Sequence, residues 1–306
     1  MGGKKTIAGL TPAFAWLFAL SFASLLISLL AGCSGSQAGR VLRVGSKNFT
    51  EQVVLGEIIA QHLEHRLHQK VERRLNLGGT LLAHQALVAG EIDLYPEYSG
   101  TALAAVLKEP IQTDPAAVLG LVRAEYARRF HVAWLDSLGV NNGFAMVVRG
   151  NNKMLKTLSN AARKPKPWTL GVGYEFEQRI DGLKALQNTY ALRTSAIKTM
   201  DLGLLYRALE DGQVDMIAAN ATDGLLSTLD VAVLEDDKHA FPPYQLCISA
   251  REDRLSTVLG LRIALAELSG KFTDRKMQEL NYQVDGRHRP VTEVAAEFLQ
   301  STEKLK

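Results

Sequence analysis

The sequence has few cysteines and little net charge for its 306 residues, while its share of aromatic residues, 7%, is ordinary. Two cysteines are too few for the disulfide framework of a small secreted scaffold. Charged residues make up 22% of the chain and hydrophobic residues 47%, a balance that excludes an intrinsically disordered chain. The 35 basic and 32 acidic residues leave a formal charge of +3, and no basic cluster contains interleaved aromatic residues. Nucleic acid is therefore not an expected partner.

The N-terminal segment has the pattern of an export signal. A short basic start precedes an apolar run over residues 13–30, and small residues lead to Cys33. The tetrapeptide Leu-Ala-Gly-Cys at 30–33 resembles the bacterial lipobox, in which the cysteine is acylated and becomes the mature N-terminus. We predict a lipoprotein signal peptide over 1–32 and a flexible tether over 33–40; an uncleaved membrane anchor is the alternative. Both interpretations place the rest of the chain outside the cytoplasm, at a membrane surface.

Acylation of Cys33 would leave Cys247 without a disulfide partner. Cys247 lies in an apolar segment, so we expect a buried and unreactive thiol. Neither a cysteine nucleophile nor a metal site is predicted from it.

After residue 40, short apolar segments alternate with segments of helical period, a pattern typical of α/β layers. Strands are expected at 41–45 and 71–77, and a helix over 81–89. The Asp-Pro pair at 114–115 predicts the start of a helix that ends near residue 130.

Asn48 and Glu51 have the spacing of a capping box, which predicts the start of the first long helix. Three helical stretches, near 254–269, 273–283 and 291–304, complete the chain.

Two patterns occur twice, in the same order. The pattern Leu-x3-Ala-Leu-x2-Gly-x2-Asp stands at 82–93 and again at 204–215, and Leu-x-Val-Gly stands at 42–45 and 170–173. The longer pattern predicts a helix, a glycine C-cap and a strand, and the shorter one predicts a strand and a loop. Two similar α/β lobes are therefore expected, as the chain length also favours.

The repeats assign four loops to one ligand cleft. Doubly wound sheets bind ligands at the carboxyl ends of their strands, beside helix N-termini. The corresponding loops are 46–50, 95–101, 174–179 and 219–223. If the lobes face one another, these loops line the cleft between them.

The predicted cleft combines cations with aromatic rings. Lys47 and Arg179 come from opposite lobes and suit a carboxylate. The aromatic side chains in or near these loops are Tyr95, Tyr98, Phe144 and Tyr244. Their faces suit a cation that cannot donate hydrogen bonds, such as a quaternary ammonium group. The alternative is that these tyrosines are packing residues with a solvated hydroxyl.

The segment Gly-Ser-Lys-Asn-Phe-Thr-Glu-Gln at 45–52 resembles the opening signature of the substrate-binding proteins of osmoprotectant ABC transporters, which bind glycine betaine, carnitine and choline. A second specific match is the stretch 90–101, which ends in Tyr-Ser-Gly-Thr. Weaker matches are found at 78–80, 221–224, 241–244 and 277–281. The resemblance extends from about residue 41 to residue 300.

This resemblance implies an α/β, two-lobed type II periplasmic-binding-protein fold with a hinge and an interlobe ligand cleft. Lobe 1 would comprise 41–141 and 245–306, and lobe 2 would comprise 142–244. The implied protein is an extracytoplasmic, monomeric receptor that delivers a small quaternary-ammonium or zwitterionic ligand to an ABC permease with its ATPase. It has no enzymatic activity and needs no cofactor.

The resemblance also implies the roles of individual residues. The side chains that would hold a ligand carboxylate are Lys47, Thr101 and Arg179. The walls of the aromatic cage would be Tyr98, Phe144 and Tyr244. Asn142 would be a polar residue lining lobe 2, and Asn220 stands where related proteins often have a tyrosine. Because an asparagine cannot form a cation–π wall, glycine betaine, choline, carnitine and other betaines such as ergothioneine all stay open.

Other motifs favour simpler interpretations. His62, His65 and His68 could bind zinc, but a solvated helix face is favoured. The pair of glycines before Thr80 could hold an anion, but it lacks the lysine of a phosphate loop. No hydrolase, metalloprotease or dinucleotide motif is present, so no catalytic residue and no metal ligand are predicted. A two-lobed extracytoplasmic enzyme and a sensory module are the alternatives to a transport receptor.

Overall fold

The computed structural model describes Gly2, Gly3 and residues 41–303. Apart from the two glycines, the predicted signal peptide 1–32 lies outside the described residues, as do Cys33 and the tether 33–40. None of the described helices is both long enough and apolar enough to cross a membrane.

Short strands and helices alternate along the described chain. The strands are β1 (Leu42–Gly45), β2 (Val71–Arg74), β3 (Leu94–Tyr98), β4 (Val132–Trp134), β5 (Phe144–Arg149), β6 (Trp168–Val172), β7 (Thr194–Thr199), β8 (Met216–Asn220), β9 (Val231–Leu234) and β10 (Leu246–Arg251). The α-helices of five or more residues are α1 (Thr50–Leu67), α2 (Thr80–Val88), α3 (Pro115–Phe130), α4 (Leu158–Ala162), α5 (Tyr174–Gln178), α6 (Leu183–Tyr190), α7 (Leu205–Glu210), α8 (Glu252–Thr257), α9 (Leu261–Ala266), α10 (Asp274–Asp285) and α11 (Val291–Glu303). Shorter or irregular helical segments are Ser99–Thr101, Ala102–Leu107, Gly150–Asn152, Leu202–Leu204 and Gly224–Ser227.

The strands form two sheets with the same topology. The first has the order β2-β1-β3-β10-β4, and the second has the order β7-β6-β8-β5-β9. In each sheet the second strand, β1 or β6, lies parallel to both of its neighbours. The fourth strand, β10 or β5, runs antiparallel to the strands on either side of it. The two sheets therefore share one plan, as the sequence repeats predict.

The chain passes between the two sheets twice, over residues 135–143 and 235–245. The two crossings lie side by side, because Asn141 and Gln245 form an antiparallel bridge. The predicted lobe boundaries fall within these crossings and stay predictions.

The repeated aspartates have the same structural role. Gly90 and Gly212 both adopt a left-handed backbone, with φ of 71° and 70°, just after helices α2 and α7. Asp93 then accepts a hydrogen bond from the backbone of β1 at 2.8 Å, and Asp215 accepts one from the backbone of β6 at 3.1 Å. Each aspartate thus joins the start of its own strand to the parallel neighbour.

Helix α3 begins as predicted. Asp114 is its N-cap and accepts a hydrogen bond from the backbone of Ala116 at 2.8 Å, while Pro115 occupies the first turn. The predicted helix over 254–269 is instead divided into α8 and α9 around Gly260, whose φ is 79°.

The predicted capping box is wrong. Helix α1 begins at Thr50, its N-cap is Phe49, and no side chain forms a capping hydrogen bond there. The Glu51 carboxylate instead turns into the protein interior, where it is 2% exposed. It therefore cannot cap the helix, and its partners lie elsewhere in the chain.

Three further side chains test the sequence interpretation. Tyr95 is fully buried and donates its hydroxyl to Glu97 at 3.1 Å, so placing it in the cleft is wrong. His62 is also buried, with Nε2 2.8 Å from the carbonyl oxygen of Ala264, and so does not belong to a solvated face. Cys247 is a free, buried thiol whose pKa burial raises to about 12, which confirms an unreactive core residue.

Candidate functional site

A cavity of about 850 Å³ is lined by segments that follow β1, β3, β6 and β8, the strands to which the repeats assign the cleft loops. All eight residues predicted from the motifs line it: Lys47, Tyr98, Thr101, Asn142, Phe144, Arg179, Asn220 and Tyr244. Two of these, Asn142 and Tyr244, lie on the chain crossings. The structure brings these residues together, and their roles in binding stay predictions.

Lys47 is buried and already faces an acid. Its Nζ lies 2.6 Å from Oε1 of Glu97, which is fully buried, and 4.7 Å from the centroid of the Tyr98 ring. The ammonium group therefore covers one face of the first predicted cage wall. Its charge is largely balanced by Glu97 before any ligand enters.

Arg179 is also buried and held by an acid. Its Nε donates to Asp181 at 2.9 Å, and Nη2 lies 3.3 Å from the Thr101 hydroxyl. The guanidinium carbon lies 5.0 Å from the centroid of the Phe144 ring. Tyr244 donates its hydroxyl to Asp181 at 2.8 Å, so one buried acid orients both a predicted cation and a predicted cage wall.

Phe144 lies at the centre of an aromatic cluster. Its ring contacts those of Phe176, Phe241 and Tyr244 at centroid distances of 4.9, 5.7 and 5.6 Å, all edge to face. In the sheet Phe144 pairs with Asn220, so this predicted cage wall is a direct neighbour of the position where related proteins often have a tyrosine.

Glu51 is a cavity residue that the motifs did not indicate. Its Oε1 accepts hydrogen bonds from the Tyr98 hydroxyl at 2.7 Å and from Asn142 Nδ2 at 3.0 Å. Its Oε2 accepts from Asn281 Nδ2 at 3.1 Å and from the hydroxyl of Thr222. Burial raises the pKa of this carboxyl, although the four hydrogen bonds oppose the shift.

Asp223 is a second acid in the cavity wall. It accepts hydrogen bonds from the Tyr206 hydroxyl at 3.1 Å and from the backbone of Asn220 at 3.0 Å. Burial raises its pKa to about 6, with a further contribution from the charge of Glu51. Tyr206 also lines the cavity, and it shares Asp223 as a hydrogen-bond partner with Asn220, which stands where related proteins often have a tyrosine.

Glu175 joins the two halves of the structure at the cavity rim. Its carboxylate accepts hydrogen bonds from the backbone N–H of Thr80 and, at 2.9 Å, from the Thr80 hydroxyl. Thr80 is the first residue of α2, so the glycine-rich turn does hold an anion, and that anion is a side chain of this chain. Burial would raise the pKa of Glu175, but the charges of Lys47 and Arg179 and the bonds from Thr80 lower it overall.

No group of three or more His, Cys, Asp or Glu side chains suited to a metal ion occurs in the described part of the chain. The cavity instead offers aromatic faces, amides, hydroxyls and acids. These groups suit the binding of a small cation or zwitterion.

Comparison with known proteins identifies relatives of this arrangement. A family model described as the substrate-binding domain of an ABC-type glycine betaine transport system matches residues 40–301. The chain is 34% identical over 295 residues to the carnitine transport binding protein OpuCC of Listeria monocytogenes, covering 92% of this chain and 96% of that protein. It is 32% identical over 263 residues to the ergothioneine transport permease/ergothioneine binding protein EgtU of Helicobacter pylori, covering 85% of this chain and 47% of that protein.

A solved structure shows the same architecture. The crystal structure of a glycine betaine/carnitine/choline ABC transporter protein superposes with a TM-score of 0.73 at 29% identity, covering 87% of this chain and all of the other. This likeness confirms the two-lobed α/β fold of the type II periplasmic binding proteins. The chain therefore belongs to the family of substrate-binding domains of ABC-type glycine betaine transport systems.

Proposed function

We propose that this protein is the receptor of an ABC importer, which binds a solute with a quaternary ammonium group and delivers it to a permease with its ATPase. The observation that carries the proposal is the cavity of about 850 Å³ in which all eight motif residues meet. That volume lies within the range of small-molecule sites, about 300–1,000 Å³. It leaves room for solutes larger than glycine betaine, so choline, carnitine and ergothioneine are also candidates.

Within this proposal Tyr98, Phe144 and Tyr244 are walls for the methylated ammonium. The carboxylate of a zwitterion is received by Lys47, Thr101 and Arg179. Arg179 lies against Asp181, so its pull on a ligand carboxylate is weaker than that of an unpaired cation. A ligand that carries a hydroxyl instead of a carboxylate can therefore compete.

The remaining parts of the proposal concern the whole protein. We infer that residues 1–32 are removed and that lipid on Cys33 tethers an extracytoplasmic monomer to the membrane, because the Leu-Ala-Gly-Cys segment has the required pattern. Mass spectrometry of the membrane-bound protein should show an acylated Cys33 at the N-terminus, and an unmodified Cys33 still preceded by residues 1–32 would contradict the lipid anchor. Lobe 1 (41–141 and 245–306) and lobe 2 (142–244) would close on the ligand by rotating about the two adjacent crossings of the chain. The ligand would be released chemically unchanged.

Isothermal titration calorimetry of the purified protein with glycine betaine, choline, carnitine and ergothioneine tests the ligand class. We expect saturable binding of at least one of them. Tyr98→Ala and Tyr244→Ala should each weaken that binding at least about tenfold, since each removes an aromatic wall worth about 0.5–2 kcal/mol together with its packing. Tyr190→Ala is the matched control, because Tyr190 is equally buried but lies outside the cavity lining.

Absence of heat and of a thermal shift with all four solutes would overturn the ligand class. Equal losses of affinity in all three tyrosine variants would show that the cage is misplaced.

A further inference from the structure

Glu51 brings a negative charge to the cavity wall that no cation of the described chain balances. Its hydrogen-bond partners are a phenol, two amides and a hydroxyl, and it forms no ion pair with any Lys, Arg or His among residues 41–303. Lys47 and Arg179, the two buried cations of the cavity, are each paired with another acid. Asp223 adds a second acid with neutral partners only. The cavity therefore has an excess of negative charge that a bound cation can balance.

The oxygens of Glu51 have no acceptor capacity left. Each carboxylate oxygen has about two lone-pair positions, and each oxygen of Glu51 accepts two hydrogen bonds from the protein. The four hydrogen bonds come from neutral donors: they favour the ionised carboxylate against the effect of burial, and they spread its charge without cancelling it. Glu51 can thus attract a cation, but it cannot accept a further hydrogen bond from one.

This combination distinguishes between kinds of ammonium group. A primary or secondary ammonium loses its hydrogen bonds to water on entering a buried site, and each N–H left without an acceptor costs affinity. A quaternary ammonium has no N–H, so it gains the electrostatic attraction without that cost.

We propose that Glu51 is a specificity-determining residue of the cavity: it supplies the counter-charge of the ligand's quaternary ammonium group, and its fully occupied oxygens disfavour ammonium groups that retain N–H donors. This inference rests on the proposed function and assigns the charge selection to an acid rather than to the aromatic walls alone. The hydrogen bond between Tyr98 and Glu51 places the acid at the hydroxyl end of one of those walls.

The test compares each cationic probe with its neutral-carbon isostere, in which a carbon atom replaces the quaternary nitrogen. The pairs are choline with 3,3-dimethylbutan-1-ol and glycine betaine with 3,3-dimethylbutanoate. Titration calorimetry, by competition where binding is weak, gives the affinity ratio within a pair for the wild type and for Glu51→Gln. The glutamine can be accommodated, because the Thr222 hydroxyl can rotate to accept and the amide of Asn281 can turn its free oxygen toward it.

Glu51→Gln should lower the affinity for the cationic probe at least about tenfold while the isostere changes by less than about threefold. Glu57→Gln is the matched control, since Glu57 is a buried acid of the same helix that pairs with Arg73 at 3.2 Å outside the cavity. Equal losses for both members of a pair would show that Glu51 only maintains the fold of the site, and would overturn the inference. An unchanged ratio with unchanged affinities would overturn it as well.

A measurement on the wild type covers the case in which Glu51→Gln does not fold. The affinity for choline should fall from pH 7.5 to pH 5 as cavity acids take up protons, while the affinity for 3,3-dimethylbutan-1-ol should stay constant. Several titratable or charged groups surround Glu51. On the β3 side these are Tyr98 and the Lys47–Glu97 ion pair. The others are Asp223, which follows β8, and Asp285 on α10. Asp223 and Asp285 also have raised pKa values, so their protonation lowers the affinity for choline in the same direction as protonation of Glu51.

A choline-to-isostere ratio that does not change with pH would contradict the inference. Failure of the proposed function gives a different result, because the wild type would then bind neither cationic probe at any pH. Stronger binding of ethanolamine than of choline would leave the cavity as a cation site but would overturn the selection against N–H donors.

Discussion

Asp223 is a single residue whose ionisation the fold opposes. Its partners are a phenol, an amide and a backbone N–H, and burial raises its pKa from the ordinary value near 3.8 to about 6. The folded protein therefore binds more protons than the unfolded chain between about pH 4 and pH 6. Stability must fall as pH rises through that window, by up to about 3 kcal/mol from this group when about two pKa units are converted.

The ligand-free protein should show this loss of stability directly in its thermal midpoint. In the wild type, ionisation of Asp223 lowers the thermal midpoint at pH 7 relative to pH 5. Asp223→Asn has no carboxylate to ionise in the wall, so we expect its midpoint at pH 7, relative to its midpoint at pH 5, to be higher than in the wild type. Differential scanning calorimetry at the two pH values measures it. Asp230→Asn is the control, since Asp230 is exposed and pairs with Lys153 at the surface. The same pH difference in the wild type and in Asp223→Asn would contradict the account of this acid.

The family resemblance assigned binding roles to eight residues of the cavity wall. It assigned none to Glu51. The local spacing of Glu51 fits a capping box, and a sequence offers no reason to prefer a buried position for it. Its actual donors come from residues 98, 142, 222 and 281, which are brought together only by the fold. Long-range partners of this kind have no signal in local spacing.

Among the elements, the loop 221–224 and helix α10 form one tight contact. Gln278 donates to the carbonyl of Ala221 at 2.9 Å, and Asn281 donates to that of Thr222 at 2.9 Å. A Cβ atom on Gly224 would lie only 2.6 Å from the Cα of Tyr282, so the backbones approach too closely for any side chain. Two motifs that are individually weak in the sequence thus form the two sides of a single contact.

Gly224→Ala should therefore push the loop away from α10. We expect a loss of about 1–3 kcal/mol in the free energy of unfolding, as for other overpacked positions, together with weaker ligand binding because Thr222 and Asp223 move with the loop. Chemical denaturation and calorimetric titration measure the two effects. Gly120→Ala is the control: nothing lies within 4 Å of an added Cβ there, and a helical alanine should stabilise by up to about 1 kcal/mol. Wild-type stability and affinity in Gly224→Ala would contradict the contact.

The elements themselves differed in how well the sequence predicted them. Helix α3 could be predicted at both ends, because Asp114 and Pro115 are local signals that act through the nearest backbone groups. Strand β2 ends at Arg74 rather than at 77, since its length is set by pairing with the four residues of β1. Local chemistry thus predicts where a helix starts, while a strand's extent depends on its neighbour.

In the whole molecule, the two repeated sequence patterns correctly predicted two sheets with the same topology, because each half of the chain must bury its own apolar face. The contacts between the halves had no such signal. Glu175 reaches from α5 to the first turn of α2, and Glu51 reaches Thr222 beyond β8. These bonds exist only when the halves are close together, so they favour the closed arrangement over an open one.

Glu175→Ala should shift the protein toward an open form. The lost bonds resemble a helix N-cap worth about 0.5–2 kcal/mol, so ligand affinity should fall by about 2–30-fold. Small-angle X-ray scattering of the ligand-free variant should give a larger radius of gyration than the wild type. Glu177→Ala is the matched control, because Glu177 lies on the same helix and bonds Thr199 within its own half. Unchanged affinity and radius in Glu175→Ala would show that these bonds do not hold the halves together.

The central claim is that the cavity holds a quaternary-ammonium solute and releases it unaltered. The most direct measurement is to purify the protein from cells grown with a mixture of candidate solutes, denature it, and identify the released small molecule by mass spectrometry. The account predicts one intact betaine, choline or carnitine-type compound in stoichiometric amount, and much less of it from the Tyr98→Ala variant. Recovery of a chemically modified product, or of a solute without a quaternary ammonium group, would contradict the account.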